Sequence, residues 1–190
     1  MGATNTGEIL KVDPNEGVVA CIGPFFNLTF QGAAPAFQEA GGIPVFSFQD
    51  RSAWVGNSEN YPNVLRVVPG IYKDGQVIAE LVSKYFQWEK VTMFFDNTDS
   101  SRDSAQFFNH YAAQYGVHTL SVHSLDSSST DFTTPIISAK KAGARIFVIV
   151  LTPPVAVKLI QQAQQHKLFN GHTQIIGGEE LTNSAGWTSL

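Results

Sequence analysis

Arg145-Ile146-Phe147-Val148-Ile149-Val150-Leu151, followed at once by Thr152-Pro153-Pro154, is the stretch that decides the fold. It runs apolar almost without alternation. A strand with one wet face alternates, whereas a parallel strand covered on both faces does not. The run is far shorter than the roughly 18 residues of a membrane span. Thr152 reads as a helix N-cap and Pro153 as the first helical position, where a missing N–H costs nothing. A buried strand therefore feeds directly into a helix, whose apolar stripe is Leu159, Ile160 and Ala163.

The same unit recurs upstream. A helix from about Lys73 carries Val77, Ile78, Leu81, Val82 and Tyr85 on one predicted stripe, and a strand follows over Val91–Phe95. The next helix, about 101–115, places Ala105, Phe108, Tyr111, Ala112 and Tyr115 on one face, with Gly116 as its C-cap. A strand over Val117–Val122, a polar loop Asp126–Thr130 and a helix ending near Gly143 lead back to Arg145. A last short strand reads as Gln174-Ile175-Ile176.

In the first third, residues 1–15 read as an exposed lead-in, and Gly17–Ile22 as a short buried strand stopped by Gly23-Pro24. A helix is expected from Asn27 to Ala40, ended by Gly41-Gly42 and kinked or shortened by Pro35. Strands are expected at Ile43–Phe48 and Val64–Val68, with a loop over 49–63 between them. Strands alternating with helices imply βαβ units: an α/β protein with parallel, doubly wound sheets and helices on both faces.

Composition narrows the function classes. The net charge of −4 and the absence of a Lys/Arg run leave nothing to neutralise nucleic-acid phosphates. The single Cys21, inside an apolar run, permits no internal disulfide and reads as a small buried hydrophobe. Met1–Lys11 is polar and lacks the apolar core of a signal peptide. Neither an export signal nor a membrane span is expected within these 190 residues.

In doubly wound sheets ligands sit beyond the carboxyl ends of the strands. Those segments are Gly23–Asn27, Gln49–Ser52, Pro69–Tyr72, Asp96–Ser101 and Thr152–Pro154. They place aromatic, amide, hydroxyl and charged groups at helix N-termini, where free N–H groups hold anions. The same residue types are what caps and turns require. No dinucleotide fingerprint, P-loop or nucleophile elbow is present. His110, His118, His123, His166 and His172 make no i, i+4 pair for a metal. Glu179-Glu180 reads as a solvated end, because adjacent carboxylates on extended chain point to opposite faces. Asn27-Leu28-Thr29 is a formal glycosylation sequon, although Asn27 reads better as the cap of its helix. No catalytic residue, metal or cofactor is expected.

Several stretches carry a family likeness. They are Gly17-Val18-Val19-Ala20-Cys21-Ile22-Gly23-Pro24, Gly42-Ile43-Pro44-Val45-Phe46-Ser47, Leu65-Arg66-Val67-Val68-Pro69 and Phe86-Gln87-Trp88-Glu89-Lys90-Val91. Asp131-Phe132, with Ile136, Lys140 and Gly143-Ala144-Arg145-Ile146-Phe147-Val148, completes the series. Their order and spacing resemble the type I periplasmic-binding-protein (venus-flytrap) family. It includes branched-chain amino-acid binding proteins and the ligand-binding regions of metabotropic glutamate, GABA and natriuretic-peptide receptors.

The resemblance implies a two-lobed fold present as a partial copy. Residues 1–69 would be part of lobe 1 and 70–190 most of lobe 2, with the hinge near Pro69. Missing lobe 1 strands would leave exposed edges and make a homodimer possible. The implied ligand is a small molecule bound between lobes. The ligand-facing candidates are Phe25, Phe26, Asn27, Gln49, Asp50, Arg51, Tyr72, Asn97, Thr98, Asp99 and Ser100. The family's α-amino-acid clamp does not carry over: Phe26 holds its first hydroxyl position, Ile71 its acidic position and Ser100 falls near its tyrosine. Phe25 and Phe26 suit an apolar or aromatic surface instead.

The leading expectation is the ligand-sensing region of a membrane receptor, on the extracellular or periplasmic side. It would bind without catalysis and reach the membrane only through segments outside this chain. The alternative is the solute-binding protein of an amino-acid-type ABC transporter. A third reading, a small α/β enzyme, requires a strongly shifted group among Asp50, Asp96 and Asp99 in a tight pocket.

Overall fold

The computed structural model describes residues 17–23 and 27–178, without the side chains of 27 and 28. The expected lead-in over 1–15, the Phe25 and Phe26 candidates and the Glu179-Glu180 end lie outside the described residues. The chain divides into two compact units, one ending at Ile71 and the other beginning at Tyr72.

In unit 1 the chain runs β1 (Cys21–Ile22), α1 (Asn27–Glu39), β2 (Val45–Ser47), a 3-10 turn (Ala53–Gly56) and β3 (Val64–Arg66). The strands form a parallel sheet in the order β1-β2-β3. Phe30, Ala33, Ala34 and Phe37, spaced i, i+3, i+4, i+7, bury one stripe of α1 against Val45 and Val55. Cys21 packs at the margin of this cluster, and burial pushes its thiol pKa up, the direction of an inert thiol.

α1 runs on through Pro35, so of the kink or shortening expected there the shortening does not occur. The Pro35 ring and Gln31, one turn earlier, are both exposed, so the carbonyl left without an N–H partner lies on a wet face. The strand expected over Gly17–Ile22 pairs only at Cys21–Ile22. The opposite face of the sheet aligns Ile22, Phe46 and Leu65 across the strands. Ile22 is 80% and Leu65 51% exposed there.

Unit 2 runs α2 (Tyr72–Glu80), a π-turn (Leu81–Tyr85), β4 (Lys90–Asp96), α3 (Asp99–Gln114), β5 (His118–Leu125), α4 (Thr133–Ala142), β6 (Ile146–Val150), α5 (Pro153–Gln165) and β7 (Gln174–Gly177). All four strands are parallel, in the order β5-β4-β6-β7. The two central strands serve two cores. Val91, Met93, Val148 and Val150 meet α2 and α3. Phe94, Phe147 and Ile149 meet α4 and α5. The continuous apolar run of β6 is thus used on both faces, as a doubly wound sheet demands.

Two expectations in this unit are corrected. Val77 and Tyr85, placed on the buried stripe of α2 by periodicity, are 59% and 76% exposed. The buried row is instead Gly75, Ile78, Ala79 and Val82. The helix widens into the π-turn after Glu80, which rotates Tyr85 outward. The contact face centres on Gly75 and Ala79, small residues that a search for apolar bulk passes over. The second correction is α3, which starts at Asp99 rather than near 101. Asp99 and Ser100 therefore form its first turn instead of a loop.

Gly75 sets the distance between α2 and α3. A Cβ there would lie 2.5 Å from the Phe108 amide nitrogen and 2.8 Å from the Phe107 carbonyl carbon, both backbone atoms. Helix propensity alone favours Gly75→Ala by about 1 kcal/mol. The clash reverses the sign, because the helices must separate and loosen the shared core. Gly75→Ala is expected to destabilise unit 2 by about 1–3 kcal/mol, read from urea denaturation.

Candidate strand-end site

β4 ends on Asp96, which is fully buried. A carboxylate without water needs donors on both oxygens. Oδ1 accepts from the Thr98 backbone N–H at 3.2 Å and the Thr98 hydroxyl at 2.6 Å. Oδ2 accepts from the Thr152 N–H at 2.6 Å. Burial alone would raise the Asp96 pKa; the bonds from Thr98 and Thr152, with a lesser one from Ser101, outweigh it and hold the carboxyl below its ordinary value.

Local chemistry explains why these partners are available. Thr98 is the N-cap of α3 and accepts the Ser101 N–H at 3.3 Å. Thr152 is the N-cap of α5, but its side chain makes no cap bond: Pro154 has no N–H to offer, and the Val155 N–H goes to the Thr152 carbonyl at 3.0 Å. The Thr152 side chain helps to hold the Asp96 carboxyl below its ordinary value. A second tie joins the neighbouring loop: Asn97 Oδ1 accepts the Ser127 N–H at 3.3 Å. The ends of β4, β5 and β6 are thus fastened together on the side where α/β sheets carry ligands.

The sequence candidates in unit 2 divide on this geometry. Asn97 is exposed beside the β5 loop, while Thr98 is engaged by Asp96 and Ser101. Asp99 is exposed and paired with Arg102 in the first turn, where its charge also suits the helix dipole. Ser100 is exposed next to it. Tyr72 opens α2, and its ring lies edge-on to Phe107 with centroids 6.0 Å apart. Phe107 stands about 10 Å along α3 from Ser100, so Tyr72 is not part of the Asn97–Ser100 cluster.

In unit 1 the loop after β2 holds Gln49, Asp50 and Arg51. Gln49 is exposed. Asp50 is buried, caps the Ser52 N–H through Oδ1 at 2.9 Å, and leaves Oδ2 without a partner. Arg51 is half-buried, with Nε donating to the Pro69 carbonyl at 3.2 Å, and Arg66 donates to the Ser52 carbonyl at 2.9 Å. This loop is held rigid by its own side chains. Asn27 is the first residue of α1. Among the described residues, no three His, Cys, Asp or Glu gather as a metal site, and no helix is long and apolar enough to cross a membrane.

Sequence reasoning placed Asp96 and Thr152 at strand ends but missed that they bond each other. The readable signal was Asp-x-Thr at a strand end, a turn in which the carboxylate takes the N–H two residues on. The partner 56 residues away carries no local signal.

Residues 4–188 match the family described as the receptor family ligand binding region. The chain belongs to that family. Its parallel sheets flanked by helices have the type I periplasmic-binding-protein fold, as in two solved structures. One is an ABC transporter solute-binding protein from R. palustris in complex with 4-hydroxybenzoate, with a TM-score of 0.72 and 16% identity over 95% of this chain. The other is the leucine-binding protein LivK from Thermotoga maritima, with a TM-score of 0.71 and 20% identity over 95% of this chain. The chain spans about half of each, 47% and 49%. No curated protein matches it in sequence.

Replacing Asp96 tests the fastening. Asp96→Asn puts an amide N–H₂ against one of the N–H or O–H donors and is expected to destabilise by about 2 kcal/mol at pH 7. The folded carboxyl titrates below its ordinary value of 3.8. Its contribution is therefore complete above that pH and is lost as pH falls through the lower folded value. The gap between wild type and Asp96→Asn, read by denaturation at stepped pH, is expected to close only below 3.8.

Proposed function

We propose that this chain is a segment of a membrane receptor's ligand-binding region that binds a small molecule and performs no catalysis. The observation that carries the reading is the match of residues 4–188 to a receptor ligand-binding family. In this reading residues up to 69 belong to one lobe and 70–190 to the other. The loops Gln49–Arg51 and Asn97–Ser100, with Tyr72, Phe25, Phe26 and Asn27, supply ligand-facing groups. Binding would favour one arrangement of the parent protein over another by the ligand's differential affinity for the two. The region would face the extracellular or periplasmic side, with membrane contact made by other parts of the parent protein.

Asp96 supports binding over catalysis. Its bonds hold it ionised, and it is fully buried with both oxygens engaged by the neighbouring loops. Asp99 is occupied by Arg102. The solute-binding component of an ABC transporter is the second reading, favoured by the R. palustris protein. The open reading frame discriminates: a receptor continues into a membrane-spanning segment, and a soluble transport component does not.

The binding itself is tested by thermal shift and calorimetry against L-leucine, other amino acids and 4-hydroxybenzoate. A true ligand at 100 times its Kd adds about 2.7 kcal/mol of stability and raises the melting temperature. Gln49→Ala, at an exposed candidate, is expected to weaken that ligand about tenfold with little change in the unliganded melting temperature. Turnover of any compound to a product would refute a pure binding role.

A further inference from the structure

At the opposite end of the unit 2 sheet, the last turns of α4 and α5 and the entries to β6 and β7 enclose a groove of about 260 Å³. Its polar lining is Lys140, Arg145, Lys167, Asn170, His172 and Thr173. None of the lining residues is acidic, although the chain holds 16 Asp and Glu against 12 Lys and Arg.

The hydrogen bonding sharpens this asymmetry. The acceptor atoms of the lining side chains are engaged: Asn170 Oδ1 takes the His172 N–H at 2.9 Å, and Thr173 Oγ takes the Asn170 N–H at 2.9 Å. Lys140 gives one proton to the His166 carbonyl at 2.8 Å and keeps two. The Arg145 guanidinium and the Lys167 ammonium have no acceptor among the described residues. The groove therefore presents unused donors and almost no unused side-chain acceptor.

Helix dipoles account for only part of the cluster. Lys140 stands in the last turn of α4, where a cation is favoured without any ligand. Arg145 and His172 stand in the entries to strands, outside the last turn of either helix. Lys167 follows the C-cap of α5 at φ 54°, the left-handed region, and the Leu168 N–H closes on the Ala163 carbonyl at 2.8 Å. Glycine fills such a position with least strain, as Gly143 does at φ 73° after α4. A lysine stands there against the backbone's preference. A residue in a sparsely populated conformation is a pointer to function when its surroundings independently support one.

We propose that this groove binds a phosphate-type anion, with Arg145 as a two-pronged donor and Lys167 and Lys140 as point charges. Arginine's planar fork matches phosphoryl oxygens, and lysine adds charge without fixed geometry. The volume equals that of roughly nine waters, room for a phosphate and part of the group that carries it. The site lies at the end of unit 2 away from the Asp96 loops and does not depend on the ligand proposed for them.

The probe is inorganic pyrophosphate, titrated calorimetrically at low ionic strength, with sedimentation on phosphatidylcholine vesicles with and without phosphatidylglycerol as a second arm. Pyrophosphate is expected to bind, more weakly as salt rises. Arg145→Gln and Lys167→Gly are each expected to weaken it about tenfold, the loss of one charge-assisted contact. Lys73→Gln, a cation elsewhere on unit 2, should leave it unchanged. Lys167→Gly should keep or raise the melting temperature, because glycine adopts the left-handed backbone freely, so lost binding cannot be read as lost folding. Vesicle binding that needs phosphatidylglycerol and fails in both groove variants would place the phosphate on a lipid. Absence of binding in both arms, or an equal loss with Lys73→Gln, overturns the proposal.

Discussion

A buried carboxylate at the end of the central strand organises unit 2. Asp96 is fully buried, so it persists as a charge only because donors from two loops reach it: the backbone and hydroxyl of Thr98, and the backbone of Thr152. Removing a donor would leave a desolvated charge, which is costlier than losing an ordinary hydrogen bond. The constraint runs in both directions. The loops hold the carboxylate ionised, and the carboxylate sets the helix starts that follow β4 and β6. Loops fixed in this way lose little conformational freedom on binding, which is the advantage of preorganisation.

The cores make such a clasp possible. β4 and β6 send alternate side chains into two apolar layers, one under α2 and α3 and one under α4 and α5. With both faces covered, their shared register is unambiguous and their ends align. Asp96 and Thr152 can then meet although 56 residues separate them. Gly75 contributes from farther away, since the close approach of α2 to α3 depends on its missing side chain. The layers give the strand-end loops a rigid scaffold, the arrangement on which binding residues are commonly carried.

Legibility followed the range of the interaction. The uninterrupted run Ile146–Val150 announced a strand covered on both faces, and Leu159, Ile160 and Ala163 lie on the buried side of α5 as their spacing requires. Gly143 ends α4 in the left-handed conformation expected of a C-cap. Failures arose where small or polar residues decide packing. Val77 and Tyr85 looked like core, yet the buried row of α2 is centred on Gly75 and Ala79, and a π-turn breaks the period. Asp99 and Ser100 looked like loop residues because helix starts and loops share a vocabulary of Asp, Ser and Thr. Among the strand-end candidates, Thr98 proved to be a cap and Asp99 half of an ion pair, distinctions set by partners that periodicity does not register. The family resemblance was carried by the order of several short stretches, none of which is decisive alone.

The proposed ligand would meet this chain at strand ends already fastened by Asp96. Hydrogen–deuterium exchange, with and without the compound that raises the melting temperature, tests it most directly. The Thr98 and Thr152 amides should exchange slowly even without ligand, because Asp96 accepts both. Added ligand should slow exchange across 49–52 and 97–100 and leave the opposite end of the unit 2 sheet unaffected. Fast exchange at Thr98 and Thr152 without ligand, or ligand protection confined to segments away from these strand ends, would contradict the account.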